Sequence, residues 1–136
     1  HAQQGDTRTA LADLYTAREL LTEIGDIPHL VSVIENIASI HIALAQWPQA
    51  HEHLQVALRH RIYLSDAPGE ILVRQAIVTI HRAQGQIMEA VQELQIVIHL
   101  EKLGQHPELE QDCRLLTELT AMQLQHEATG ADRSQP

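Results

Sequence analysis

The feature that most constrains the fold of this chain is a pattern that recurs every forty residues. Three alanines stand at this spacing, at positions 10, 50 and 90. Each follows a small residue by five positions and precedes a leucine by four and a small or β-branched residue by seven (Gly5, Ala45, Gly85; Leu14, Leu54, Leu94; Ala17, Ala57, Val97). Self-similarity at a fixed period of this kind is typical of stacked repeats. Because a repeat array presents an extended surface rather than one catalytic pocket, the pattern indicates a binding scaffold.

The apolar stretches of the chain are predicted to be helices. Short runs such as 30–34, 71–73 and 94–98 are rich in Ile and Val and resemble strands. Each of them, however, lies within a stretch free of glycine and proline that is far longer than a typical strand. Segments 25–28, 65–69 and 104–107 supply a helix stop, a capping residue and an early proline, with Asp26 and Asp66 as caps one period apart. We predict six helices, at about 6–24, 28–45, 48–64, 68–84, 87–103 and 107–125.

The predicted helices alternate in character. Those at 28–45 and 68–84 are apolar on nearly all sides, which indicates packing between neighbours, whereas those at 6–24, 48–64 and 87–103 are more amphipathic. This alternation predicts two layers, with two helices in each repeat. The alternative is an ordinary antiparallel helical bundle in which the periodicity arises by chance.

Composition excludes several classes of partner. Phe is absent and aromatic residues make up 2%, so the core is predicted to be aliphatic. Nine basic residues against eighteen acidic ones give a net charge of −9, and no basic cluster is present, so nucleic acid is not an expected partner. The one cysteine, Cys113, excludes an internal disulfide and fits a reducing compartment. No apolar run reaches the roughly 18–20 residues that span a bilayer, so we expect no membrane insertion and a cytoplasmic location.

The pattern resembles the tetratricopeptide repeat (TPR), in a long variant of about forty residues. The resemblance rests on the small residue and the alanine five positions after it, which are Gly5 and Ala10, Ala45 and Ala50, and Gly85 and Ala90. Alanine at such a point lets helix axes approach closely. The chain departs from the family in the first helices: the small position holds Ala38 and Val78, with Glu118 at the fourth equivalent, and His41 and His81 replace the usual tyrosine.

The resemblance implies an all-α fold, a right-handed superhelical α-solenoid of antiparallel helix pairs. A single domain over 1–126 would then hold the second half of one repeat, two full repeats at about 27–66 and 67–106, and a closing helix at 107–125. The small, polar tail at 127–136 is predicted to be disordered. Because the first helix would expose Leu11, Leu14 and Leu21, we expect that earlier repeats precede this segment or that a second copy packs there.

No pattern of titratable residues predicts an enzyme, a metal site or a cofactor. The ten histidines contain no His-Glu-x-x-His motif, and His51 and His53 point to different sides of a helix. His41 and His81 could face each other across neighbouring repeats, but we expect each to be bonded to a carbonyl or to water. Acidic residues also occur near helix ends, in one group of three (Glu108, Glu110 and Asp112) and one group of two (Glu23 and Asp26). There a carboxylate either interacts favourably with the positive N-terminal end of a helix dipole or simply adds solubility.

The resemblance also implies where a partner would bind, on a concave face lined by first-helix side chains. Members of the family that grip acidic peptides use lysines, an arginine and asparagines; here only Asn36 and Arg82 are of that type, and the sole lysine is Lys102. The remaining face suits an uncharged or mildly basic peptide or another protein's helix. The candidate residues are Ser32, Glu35, Asn36, Ser39 and Ile42 from one repeat and Leu72, Gln75, Thr79 and Arg82 from the next.

The sequence therefore predicts a scaffold for protein or peptide partners within a larger regulatory or signalling protein. The alternative is a homodimerisation or structural module with no ligand in its groove. A metal-binding or enzymatic helical domain is a more remote alternative.

Overall fold

The computed structural model of the chain describes the backbone of residues 2–134 and the side chains of residues 5–129. Over these residues it contains six helices and no strand, which confirms the all-α prediction. None of the helices described is both long and apolar enough to cross a lipid bilayer. The helices are α1 (Ala2–Ile24), α2 (Ile27–Ala43), α3 (Trp47–Tyr63), α4 (Ala67–Ala83), α5 (Ile87–Gly104) and α6 (Leu109–Ser134).

The turns between the helices repeat with a regular spacing. A residue with positive φ ends each of the first five helices, twenty residues after the previous one: Gly25, Ala45, Ser65, Gly85 and Gln105. In every case the N–H of the next residue donates to the carbonyl five residues earlier, over 2.8–3.1 Å. This is the Schellman arrangement, which satisfies carbonyls that a helix end would leave unpaired. The same helix–turn segment of twenty residues therefore recurs along the chain, and two such segments make up the period of forty.

Aspartates cap two of the helices as the sequence predicts. The Asp26 carboxylate accepts from the backbone N–H of His29 at 3.3 Å, and Asp66 accepts from that of Gly69 at 3.0 Å. The intervening caps, Gln46 and Gln86, make no side-chain bond to their own helix. Each instead accepts a hydrogen bond from the histidine five residues earlier, His41 Nδ1 at 2.7 Å and His81 Nδ1 at 2.8 Å. The two cap types alternate with the period of the repeat.

Exchanging the residues at two equivalent turns is expected to change stability in opposite directions. Ala45 has φ 56° and Gly85 has φ 74°, a region that is unfavourable for any residue with a Cβ atom. A Cβ atom at Gly85 would meet nothing within 4 Å, so its cost is conformational alone. We expect Ala45→Gly to raise, and Gly85→Ala to lower, the free energy of unfolding by about 1 kcal/mol. Urea denaturation measures both, and a loss of stability in Ala45→Gly would show that the two turns are not equivalent.

The chain divides into two compact units, His1–Val73 and Arg74–Pro136. In the first, α1 packs on α2 and α2 on α3. In the second, α5 packs on α6. Ala50 and Ala90 are fully buried, and their N–H groups donate to the glutamine caps at the same distance, 3.0 Å. The core is aliphatic, as predicted, and its most buried members include Val31, Ile37, Leu54, Ala57, Ile77, Leu94, Val97 and Leu119. The single continuous array and its handedness stay predictions.

Two expectations about the helix surfaces need correction. Leu11, Leu14 and Leu21 are partly buried rather than left in water, because α1 packs on α2. The last helix begins at Leu109 and continues to Ser134, beyond the predicted helix end at 125. The reason is that Glu127, Ala128, Ala131 and Arg133 favour a helix, and the one glycine among them costs only about 1 kcal/mol. Residues 135 and 136 of the predicted tail lie outside the described residues.

Candidate functional site

The predicted partner face on α2 is partly accessible. Ser32, Asn36 and Ser39 are exposed and follow one another at helical spacing on one side of α2, and Ile42 is half-buried. The Ser32 hydroxyl donates to the carbonyl of Pro28 at 3.3 Å. Small hydroxyl and amide groups thus line this side of the helix.

Glu35, which was predicted to face a partner, is held by an arginine of the same unit. The Arg61 guanidinium on α3 donates to both carboxylate oxygens of Glu35, over 2.7–3.1 Å, and to Asp66 at 2.8 Å. The side chains of Arg61 and Glu35 are only 18% and 25% exposed, and the bond to Glu35 raises the pKa of Arg61 above its usual value. Asp66 in turn caps α4 through Gly69. Glu35 therefore ties α2 to the end of α3 and the start of α4.

The candidates on α4 divide in the same way. Leu72, Thr79 and Arg82 are exposed, Leu72 to 64%. Gln75 is engaged inside its own unit: its Nε2 donates to Glu108 at 2.9 Å and to Asp112 at 3.0 Å. Replacing Glu35 and Gln75 would therefore disturb internal contacts as well as any partner surface.

A cluster of one tyrosine and two histidines joins the first three helices. The imidazoles of His41 and His53 stack with centroids 5.4 Å apart, and the Tyr15 hydroxyl lies 3.4 Å from Nε2 of each. Nδ1 of His53 lies 2.8 Å from the carbonyl of Gln49 and donates to it, because a carbonyl oxygen can only accept. Arg18 lies 4.6 Å above the Tyr15 ring. The cluster brings partly buried polar atoms of α1, α2 and α3 within hydrogen-bonding distance of one another.

A cleft in the second unit was not predicted. It has a volume of about 690 Å³ and lies between the start of α5 and the C-terminal half of α6. Both methionines of the chain, Met88 and Met122, line it, and they are 50% and 49% exposed. Its polar lining includes Gln86, Glu89, Gln123, Gln125, His126 and Glu127. The only hint in the sequence was that a chain without Phe keeps two methionines, and nothing in the sequence brings 88 and 122 together.

In comparisons with known proteins, no family model matches the chain, and no curated protein matches it either.

Proposed function

We propose that this chain is a protein-interaction scaffold of TPR-like helix pairs, and that the cleft between α5 and α6 receives an amphipathic helix from a partner protein. The observation that carries the proposal is the cleft lined by both methionines. Its volume is in the range of sites that enclose apolar groups, roughly 300–1,000 Å³. Methionine side chains are flexible and polarisable, so a surface that carries them adapts to apolar anchors of different shape.

The polar lining of the cleft indicates the chemistry of the partner. Three of its polar residues are glutamines, and Glu89 and Glu127 carry negative charge, in a chain whose net charge is −9. A helix with two or three apolar side chains on one face would pack on the methionines of the cleft. Neutral or basic residues beside that face would match the glutamines and glutamates that line it. This agrees with the uncharged or mildly basic ligand predicted from the sequence. A place for the chain within a larger regulatory or signalling protein is part of the same proposal.

Glutamine substitutions in the cleft test the proposal. Amphipathic helical peptides would be selected against the whole chain by phage display, and their affinities measured by fluorescence anisotropy. We expect Met88→Gln and Met122→Gln each to weaken the selected peptide about tenfold, because a buried apolar anchor is worth more than about 1 kcal/mol. Since both side chains are half exposed in the free chain, the free energy of unfolding of each variant should differ from that of the parent by less than about 0.5 kcal/mol.

The matched control is Leu124→Gln. Leu124 lies on the same helix and is 62% exposed, but it does not line the cleft. Equal affinity in Met122→Gln and Leu124→Gln would contradict the proposal. Loss of binding in Asn36→Ala with Ser39→Ala, or in Thr79→Ala with Arg82→Ala, would move the site to the face predicted from the sequence.

Self-association is the competing function, and light scattering separates it. A chain that is monomeric at high concentration and binds a selected peptide supports the scaffold. A stable dimer that Met122→Gln dissociates would show that a second copy occupies the cleft.

A further inference from the structure

The last turn of α5 carries a carboxylate that the surrounding protein does not satisfy. Glu101 is fully buried, at 0% exposure, and within the described part of the chain neither of its carboxylate oxygens has a hydrogen-bond partner. Burying a charged group without a partner is costly, so such a group is either neutralised or paired. Desolvation by this burial raises the pKa of Glu101 to about 7, and the Asp112 carboxylate beside it acts in the same direction.

Two further carboxylates converge on Glu101. Oxygens of Glu101, Glu108 and Asp112 all lie within 4.8 Å of one another, although the three residues come from α5, the turn after it and the first turns of α6. The amide of Gln75 donates to Glu108 and Asp112 and so borders the group. None of the ion pairs among the described residues joins an arginine or lysine to these three carboxylates. The cluster thus concentrates negative charge around a buried group.

The preceding repeat shows what this position holds elsewhere in the chain. Forty residues before Glu101 stands Arg61, and forty before Gln75 stands Glu35. There the Arg61 guanidinium bridges two carboxylates, Glu35 and Asp66. In the later repeat Glu101 stands at the arginine position, and Gln75 and His106 stand at the two carboxylate positions. The carboxylates beside Glu101 come from two other positions, Glu108 and Asp112. Among the ion pairs of the described residues, none places an arginine or lysine side chain at the corresponding point of the later repeat.

We propose that Glu101, Glu108 and Asp112 bind a divalent cation that prefers oxygen ligands, with Ca²⁺ as the best fit. Three oxygens that lie within 4.8 Å of one another surround a common point at no more than roughly 2.8 Å from each, so a small inward movement of the side chains would bring all three to the roughly 2.4 Å at which Ca²⁺ binds oxygen. Three carboxylates without nitrogen or sulfur donors favour a hard cation over Zn²⁺ or Cu²⁺. Glu108 is exposed, so an ion can enter from solvent and complete its shell with water.

Such an ion would link the end of α5 to the start of α6. It would take the place of the guanidinium at the equivalent point of the preceding repeat and remove the repulsion among the three carboxylates. Because the ion binds the folded chain and the unfolded chain lacks the site, binding would raise the free energy of unfolding, by an amount that grows with the logarithm of the ion concentration above Kd.

Calcium titration of the whole chain, first stripped with a chelator, tests the site. Calorimetry should show one Ca²⁺ bound per chain with a Kd in the micromolar to millimolar range, and the melting temperature should rise as Ca²⁺ is added. Glu101→Gln and Asp112→Asn should each weaken Ca²⁺ at least about tenfold, the loss seen when even outer-shell metal partners are removed. Glu110→Gln is the matched control: Glu110 is 87% exposed, lies in the same turn of α6 and pairs only loosely with Arg114 at 3.6 Å, so its variant should bind like the parent.

Two results would overturn the site. One is a parent chain that shows neither heat nor a change in melting temperature with Ca²⁺. The other is a Glu101→Gln variant that keeps the parent's response. If the parent ignores Ca²⁺ and Glu101→Gln is simply more stable, a proton rather than a metal ion neutralises the buried carboxylate. Neither result depends on whether a peptide binds the cleft between α5 and α6.

Discussion

Leucine at position 50 or at position 90 is expected to lower the free energy of unfolding by about 3 kcal/mol, and by nearly the same amount at both positions. Ala50 and Ala90 are fully buried at the start of α3 and α5, so the added methylenes have no space without moving a neighbouring helix. The effects should match because the two alanines occupy equivalent places after the same type of turn. Chemical denaturation of Ala50→Leu and Ala90→Leu measures both values.

The control for these variants is Ala12→Leu. Ala12 is exposed within α1, and leucine and alanine have similar helix propensity. The free energy of unfolding of Ala12→Leu should therefore differ from that of the parent by less than about 0.5 kcal/mol. A large effect at 50 with none at 90 would show that the two sites are not equivalent, and it would remove the structural basis for the repeat.

Replacing Arg61 by methionine is expected to cost about 3 kcal/mol, because it leaves two partly buried carboxylates, Glu35 and Asp66, without their cation. Methionine keeps most of the aliphatic volume of arginine, so the loss reports mainly on the guanidinium. In the Glu35→Gln variant one of the two carboxylates is already removed. The loss of stability caused by Arg61→Met should therefore be smaller in that variant than in the parent chain. The difference in a double-mutant cycle gives the strength of the pair.

Arg59→Met is the matched control for this network. Arg59 lies one half-turn earlier on α3 and is exposed, so its loss should change stability by less than about 0.5 kcal/mol. Equal costs at 59 and 61 would mean that the bonds from Arg61 to Glu35 and Asp66 do not stabilise the fold.

Much of the fold could be predicted because its signals are local. Helix spans follow from uninterrupted stretches without glycine or proline, and the caps at Asp26 and Asp66 follow from short side chains placed just before an early proline. The forty-residue period also aligns Ala45 with Gly85, and Ala45 adopts the same positive φ that this turn requires. The end of α6 lies beyond the predicted residue 125, because the small and polar residues that follow include good helix formers.

The chemistry of the candidate sites could not be predicted in the same way, because it depends on contacts between helices. Glu35 and Gln75 occur at exposed-looking positions in the sequence, and only the packed structure shows that each is occupied by a partner from another helix or turn. Glu101 lies on an amphipathic helix and reads as a solvent-facing acid, yet it is fully buried. The forty-residue shift does align it with Arg61, so the charge reversal was visible in the sequence, but its meaning required the bridge between Arg61, Glu35 and Asp66.

We conclude that one helix–turn segment recurs every twenty residues along the described part of the chain. Backbone NMR chemical shifts test it most directly, since they report φ residue by residue in solution. We expect positive φ at Gly25, Ala45, Ser65, Gly85 and Gln105 and helical shifts throughout the segments between them. Helical φ at Ala45 or Ser65, or extended shifts at Val31 or Ile96, would contradict the claim.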